Sequence, residues 1–371
     1  MCLLTVSQGQ SNTPFYVHAA LSSEHLLPGE QASFVLRVSG LQSDSRPVIP
    51  EVKGVAINFI RTSTYIDSQR RLGYEFSYRL RAVKEGHYTI PPITVTSGEN
   101  TTSTSPIHFT VHSKDKLLSI PTNIANVVLK AAWFPQKSSL YQNEQCEVLL
   151  KIYAPQSSNI VNWGFPDAKK VNCLAWRFSP PQDNGYSQVQ LNGISHRVAT
   201  YSTTLSGIAP GKASLGPASL TLYQRKAVMD PMRGTMISDV PLEITLPQVD
   251  FDILALPAGA PADFNGAVGN FDIDARCEKT TFSQTDPTEV ILRIGGTGNL
   301  TTLQAPTLTG DEWKIIDTSK VTRGEERRYI SGIVTFKQLI RAKATQSIPT
   351  SIPPYSFSYF NPATTLSLIH I

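Results

Sequence analysis

The chain repeats one pattern of alternating apolar residues three times, beginning near residues 32, 146 and 288. In each copy the apolar residues occupy every second position, which is typical of a β-strand with one buried face. Recurrence at domain-sized spacing predicts tandem copies of one module rather than a solenoid of short units. The alternating residues are Ala32, Phe34, Leu36 and Val38; Cys146, Val148, Leu150 and Ile152; and Thr288, Val290, Leu292 and Ile294.

A turn between two further strands follows later in each copy. Gly86 and Gly211 stand where the first and second copies reverse direction, and glycine suits a turn that needs a positive φ. The third copy has residues 345–350 in place of that glycine, so we expect a longer turn there.

Composition favours a globular all-β protein. Charged residues make up 17% of the 371 and hydrophobic residues 40%, while 26 prolines and 23 glycines punctuate short alternating runs. We find no long segment with helical spacing of apolar residues. The predicted fold is therefore three tandem immunoglobulin-like β-sandwich domains in an elongated array.

The predicted domains are residues 14–113, residues 123–248 with an aromatic and proline-rich insertion, and residues 262–371, with truncation of the third left open. A polar linker at 114–122 and a Pro/Ala-rich bridge at 256–261 separate them. Proline-bearing bridges act as semi-rigid spacers, which predicts a rod with limited bending at its joints.

The cysteines and basic residues exclude several classes of function. The four cysteines form no CxxC pair, which gives zinc-ribbon and thioredoxin-like folds no support. Cys146 is in phase with a buried strand face and is interpreted as a core residue, with a Cys146–Cys173 disulfide as the alternative. The net charge is +4 with scattered basic residues, so we expect no nucleic-acid partner.

Motifs for catalysis are absent from the sequence, so we expect a non-enzyme without a cofactor. Residues 295–300 are glycine-rich but no helix pattern follows, so we interpret them as a wide turn or bulge rather than a phosphate loop. His108 and His112 alternate with Ile107, Phe109 and Val111 on a predicted strand, and we expect both on its solvent face.

Acidic residues flank the second bridge and support one metal hypothesis. Calcium takes six to eight oxygen ligands and can rigidify a joint between domains. A solvated strand face is the plainer interpretation, and we expect no metal otherwise. The candidate ligands are Asp250, Asp252, Asp263, Asp272 and Asp274.

Two surfaces of the second copy are candidate binding sites. Trp163 and Trp176, with neighbouring aromatic residues, could form a platform that stacks on sugars, although such residues also fill sandwich cores. Residues 229–236 form a loop rich in Met, Pro and Gly that we interpret as a protein contact.

Several segments together resemble the BatD-type proteins of the bacterial oxygen tolerance (aerotolerance) operons. Their order and spacing, from Val17 to Pro362, carry the resemblance more than any one motif does. The matching segments are 28–38, 47–50, 74–80, 86–91, 256–257, 264–269, 296–300 and 352–362.

The resemblance implies a cell-envelope protein with a signal peptide, periplasmic immunoglobulin-like domains and a C-terminal membrane helix. It implies von Willebrand A-type Bat proteins as partners and, indirectly, a MoxR-type AAA+ ATPase. It supplies no catalytic residues. No stretch here approaches the roughly 20 apolar residues of a membrane-spanning helix, so we expect a fragment that lacks both ends.

The sequence therefore favours a non-enzymatic, extracytoplasmic scaffold of a Bat-type envelope complex linked to oxygen tolerance or envelope stress. In the full-length protein we expect a periplasmic location with an anchor in the inner membrane. The alternative is a carbohydrate-binding cell-surface protein that uses Trp163 and Trp176.

Overall fold

The fold is all-β along the part of the chain that the structure describes. The structure is a computed structural model. It describes residues 16–40, 46–67, 70–97, 100–122, 127–181, 187–232, 234–279, 282, 286–324, 330–343 and 351–370.

The first core lies between two sheets, and the alternating residues of the first copy face into it. The larger sheet has the order β1-β3-β5-β4 and the smaller one β2-β9-β6, with a β7-β8 hairpin beside them. Phe34, Leu36 and Phe76 face Ile90 and Phe109 across the sandwich, all of them buried. The strands are β1 (Tyr16–Leu21), β2 (His25–Leu26), β3 (Gln31–Ser39), β4 (Val55–Ile66), β5 (Leu72–Ala82), β6 (Gly86–Ile90), β7 (Thr94–Ser97), β8 (Asn100–Ser103) and β9 (Ile107–Val111).

The second core also lies between two sheets, one with the order β10-β11-β13-β18-β16 and one with the order β12-β21-β19-β14. Strand β17 joins β18, and strands β15 and β20 join β19. The strands are β10 (Leu118–Pro121), β11 (Val128–Pro135), β12 (Ser139–Tyr141), β13 (Gln145–Pro155), β14 (Ile160–Trp163), β15 (Asp167–Val171), β16 (Cys173–Ala175), β17 (Gln188–Leu191), β18 (Ile194–Gly207), β19 (Gly211–Asp230), β20 (Gly234–Leu246) and β21 (Val249–Leu254).

The third core repeats the plan of the first. Its larger sheet has the order β22-β23-β26-β25, which matches β1-β3-β5-β4 strand for strand, and its smaller sheet is β24-β27-β28. The strands are β22 (Gly269–Cys277), β23 (Thr288–Gly298), β24 (Thr307–Leu308), β25 (Trp313–Gly324), β26 (Ser331–Ala342), β27 (Tyr355–Asn361) and β28 (Leu366–His370).

Helical structure along the described residues consists of short 3₁₀ turns. They span Lys114–Lys116, Gln156–Ser158 and Leu300–Thr302. The predicted class of tandem immunoglobulin-like sandwiches is confirmed. The number and boundaries of the domains, and the rod shape, stay predictions.

Three local predictions about turns meet the structure differently. Gly86 and Gly211 have φ values of +145° and +128°, as predicted. Residues 295–298 are not a turn, because they continue the central strand β23 between β22 and β26. A Cβ at Gly296 would lie 2.1 Å from the carbonyl oxygen of Asn270, so glycine permits close strand approach there. Residues 345–350 lie outside the described residues.

Two other predictions are corrected. The predicted linker at 114–122 contains strand β10, which pairs with β11 and so belongs to a sheet of the second core. The predicted loop at 229–236 is the tip of a long hairpin formed by β19 and β20.

Cys146 and Cys173 are both buried and free, which removes the alternative of a disulfide between them.

Candidate functional site

One four-residue turn occurs twice, each time just before the alternating strand. In the first copy the amide of Glu30 donates to the carbonyl of Leu27 at 2.9 Å, and Gly29 supplies the positive φ of +79°. Pro28 and Gly29 hold the two central positions that a type II turn favours. The Glu30 carboxylate then accepts the amide of Leu27 at 2.9 Å.

The second copy builds the same turn with other residues. The amide of Glu144 donates to the carbonyl of Tyr141 at 2.9 Å, and the Glu144 carboxylate accepts the Tyr141 amide at 2.8 Å. Asn143, with φ of +66°, occupies the place of Gly29. The first turn presents its glutamate to the second core, and the second turn presents Asn143 to the third core. We call the resulting contacts the first joint and the second joint.

The first joint contains a fully buried ion pair between the first and second cores. Lys151 Nζ lies 2.6 Å from Glu30 Oε1, and the two side chains are 0% and 1% exposed. Lys151 also donates to the carbonyl of His25, and the Tyr153 hydroxyl donates to Glu30 at 3.4 Å. Burial lowers the pKa of Lys151, against the opposing effect of the Glu30 carboxylate.

A pair of histidines closes one side of the first joint. His25 Nδ1 and His112 Nε2 are 2.8 Å apart, and both rings pack on Phe134 of the second core. Burial lowers the pKa of both histidines to about 4, with the positive charges of Lys116 and Lys151 acting in the same direction. The prediction that His112 faces solvent is therefore wrong, whereas His108 is exposed as expected.

Apolar residues from both cores surround the pair. Leu27 packs with Phe134, Tyr153 and their neighbours in a cluster that joins the two cores. Beside it a cleft of about 260 Å³ opens between Leu21–His25 and residues of β11, β13 and β18. The first joint is thus a packed interface with an open margin.

The second joint is more open. Asn143 Nδ2 donates to the carbonyl of Gly266 at 3.3 Å, and Tyr141 meets Phe360 edge-to-face at 4.9 Å. Glu144 pairs with Lys137 of its own core at 2.5 Å, and Lys137 is 46% exposed. A cleft of about 450 Å³ lies between the second and third cores at this point.

The residues of the calcium hypothesis are not brought together. Asp252 pairs with Lys212, and Asp274 pairs with Arg276. Asp263 accepts the hydroxyls of Ser356 and Ser358, Asp250 accepts an amide from Gln248, and Asp272 is exposed. Within the described ranges no three His, Cys, Asp or Glu side chains lie close enough to hold a metal ion.

The proposed sugar platform does not form around Trp163. This residue is 8% exposed and belongs to the second core, so its ring faces are covered by protein. Trp176 is half-buried beside β18, where its amide donates to the carbonyl of Thr204 at 3.0 Å. Trp163 is a core residue, and the prediction that it stacks on a sugar is wrong.

Sequence reasoning missed the first joint. Lys151 falls on the polar side of the alternation, and Glu30 directly precedes the alternating strand, so no motif singles out either residue. A usable signal was Tyr153, because a large side chain on the polar side of a strand indicates a second buried face.

The fold defines the class of protein as an all-β array of immunoglobulin-like sandwiches. The model of the BatD family, described as a BatD DUF11 like domain, matches residues 19–111. The match covers the first core, and the resemblance found in the sequence is confirmed over that range. No curated protein sequence matches the chain.

Several solved structures show a weak likeness to this chain. The Escherichia coli adhesin FdeC is 9% identical with a TM-score of 0.17, over 93% of this chain and 97% of that one. Domains 4 and 5 of the S-layer protein SbsC are 11% identical with a TM-score of 0.15, over 65% and 98%. Yersinia pseudotuberculosis InvD is 10% identical with a TM-score of 0.17, over 91% and 86%. Likeness at this level carries no functional argument.

In the portion of the chain that the structure describes, no helix is long and apolar enough to cross a bilayer.

Proposed function

We propose that this chain is a non-enzymatic interaction protein of a Bat-type envelope complex, linked to oxygen tolerance or envelope stress. The match of residues 19–111 to the BatD DUF11-like domain is the observation that carries the proposal. The protein acts in the periplasm, held at the inner membrane, and binds a von Willebrand A-type Bat protein and, through it, a MoxR-type AAA+ ATPase.

The packing of the first joint supports a scaffold role. A scaffold must hold its binding surfaces at a fixed spacing, and relative motion is the default for domains that share only a small polar interface. Here Leu27, Phe134 and Tyr153 form a shared apolar cluster around the Glu30–Lys151 pair. The first and second cores would therefore present their surfaces to a partner as one unit.

The hairpin of β19 and β20 supports the same proposal as a contact surface. Its tip exposes Met229, Met232 and Ile237, at 72%, 95% and 75% of their surface. Below the tip, the directly opposite residues Arg225 and Asp239 form a two-pronged ion pair at 2.8 and 3.1 Å. Exposed apolar side chains on an ordered element are typical of protein contacts.

Capture of a von Willebrand A-type Bat protein by the purified chain tests the proposal. We expect the wild-type protein to retain the partner and the variant Met229→Ser/Ile237→Ser to retain at least tenfold less. The matched control is Ile66→Ser, which removes an equally exposed apolar residue from the first core.

The outcomes separate the contact from the function. Unchanged capture by the hairpin variant would remove the hairpin as the contact. Failure of the wild-type chain to retain the partner, with folded protein on both sides, would overturn the proposed function itself.

A further inference from the structure

A groove crosses the outward face of the larger sheet of the first core. One hollow of about 330 Å³ lies over β1 and β3, and another of about 360 Å³ lies over β3, β5 and β4. The two share Ser33, Val35 and Arg37, so they form one continuous depression. Leu21 and Ser22 connect it to the cleft at the first joint.

Small side chains form the floor of this groove. Ala20, Val35 and Ser77 are direct cross-strand neighbours on β1, β3 and β5. Short side chains there, between longer ones on either side, leave the sheet surface recessed. Three strand spacings separate β1 from β4, which gives a groove length of roughly 14 Å, the span of about four extended residues.

Arginine side chains border the groove, since Arg37 and Arg61 line it and Arg79 stands beside it. Arg61 lies directly opposite Ser77, and Arg79 lies two positions along β5 on the same face, next to Ser33. Both arginines are exposed. Glu75, the acidic residue that lines the groove, is already paired with Arg37 at 2.8 Å.

The corresponding face of the third core provides a contrast. There Arg293 lies directly opposite Asp274, and exposed Asp272 and Glu289 share the face. Charges of both signs are interspersed on that sheet. The excess of arginine therefore belongs to the first core and not to the repeated fold.

We infer that this groove binds an extended acidic segment of a partner protein, with Arg61 and Arg79 as the main ligands of its carboxylates. The guanidinium group is planar and forms paired hydrogen bonds to a carboxylate. A recessed groove fits a single extended polypeptide chain. A flat bilayer surface would contact only the edges of the groove and leave its floor unfilled. The inference rests on the proposed function, since it names the chemistry of a partner.

Fluorescence anisotropy with a labelled hexapeptide of alternating Asp and Glu tests the inference. We expect salt-sensitive binding to wild-type protein, at least tenfold weaker binding to Arg61→Gln/Arg79→Gln, and none to the matched Asn/Gln peptide. The control variant is Arg293→Gln/Arg341→Gln, which removes two exposed arginines from the equivalent sheet of the third core and should bind as wild type does. Thermal melting of each variant confirms that it is folded.

Equal binding by wild type and the Arg61→Gln/Arg79→Gln variant would overturn the inference, as would no binding by wild type. Co-sedimentation with phosphatidylglycerol vesicles is the second arm. Loss of vesicle binding in that variant, with no peptide binding at all, would assign the groove to lipid and also overturn the inference. If the chain captures the partner but does not bind the peptide, this inference alone is wrong. If the chain binds the peptide but does not capture the partner, the proposed function alone is wrong.

Discussion

The two joints of this molecule begin from the same turn and end with different interfaces. In each, a glutamate carboxylate accepts the amide three residues before it, at 2.9 Å for Glu30 and 2.8 Å for Glu144. The first glutamate then reaches a lysine of the next core, whereas the second pairs with Lys137 of its own core. The same local turn therefore forms whether its glutamate pairs with a lysine of the next core or with one of its own core.

The difference shows how burial decides the value of an ion pair. Lys137 is 46% exposed, so its pair with Glu144 is screened by water and worth little. Lys151 and Glu30 have lost nearly all contact with solvent. Each depends on the other, because a single buried charge without its partner carries a penalty of several kcal/mol.

Breaking the first ion pair should have the largest effect. We expect Lys151→Ala to lower the free energy of unfolding by about 3–5 kcal/mol, because it leaves the Glu30 carboxylate buried and unpaired. Lys137→Ala, the matched change at the second joint, should cost less than about 1 kcal/mol. Urea denaturation and calorimetry measure the free energy of unfolding of both variants. Equal losses at the two joints would contradict the comparison.

Removing both charges of the first joint should recover much of that loss. In Glu30→Gln/Lys151→Met the glutamine keeps an acceptor for the Leu27 amide, and the methionine fills the space of the lysine stem. Replacing a buried pair by groups of similar volume is often neutral or stabilising. We expect the double variant to be at least about 2 kcal/mol more stable than Glu30→Gln alone. A double variant that is no more stable than the less stable single variant would show that the two side chains are not coupled.

Acid should loosen the first joint before the second. His25 and His112 have pKa values near 4 in the folded chain against an ordinary value of 6.5, because burial opposes their charged forms. The folded state binds fewer protons than the unfolded state between these values. Stability at this joint is therefore full above pH 6.5 and falls as the pH drops toward 4. Lys116, Lys151 and His87 add repulsion, while Glu30 neutralises part of it.

Hydrogen exchange compares the joints within one molecule. The amides of Leu27 and Tyr141 are matched probes, since each is held by a glutamate carboxylate. We expect protection factors at Leu27 to fall at least tenfold from pH 7 to pH 4.5, with a smaller fall at Tyr141. His25→Gln/His112→Gln should remove the excess fall at Leu27. A fall of the same size in that variant would assign the effect to other groups.

The sequence predicts the strands of this fold well because strand faces have a period of two. All four alternating residues of β3, from Ala32 to Val38, are buried as that period requires. The same argument fails for the interface at the first joint. Register and periodicity report whether a side chain faces its own core, and they do not identify the neighbouring core that covers the outer face.

Lys151 illustrates this limit. A basic residue occupies the same place in all three copies, namely the position after the third alternating apolar residue: Arg37, Lys151 and Arg293. Arg37 and Arg293 are exposed, and Lys151 is fully buried. The basic residues themselves do not distinguish the three copies, because the burial of Lys151 comes from a contact with the first core more than a hundred residues away in sequence. The only local hint is the large Tyr153 two positions later, where the other copies have Ser39 and Gly295. The groove in the first core was missed for the same reason, since it depends on residues gathered from four strands.

The smallest effect is expected from the bond that spans the second joint. Asn143→Gly removes the hydrogen bond from Nδ2 to the Gly266 carbonyl, while glycine keeps the positive φ that the turn requires. A long hydrogen bond at an open, solvated joint contributes about 0.5 kcal/mol. We therefore expect little change in melting temperature but faster exchange of the amides around residues 266–268.

Gly29→Asn gives the reverse comparison at the first joint, since asparagine tolerates a positive φ. We expect the rate of amide exchange at Leu27 to stay unchanged, because the buried ion pair still holds the joint. A larger effect of Gly29→Asn than of Asn143→Gly would mean that the turns, and not the contacts beyond them, set the difference between the two joints.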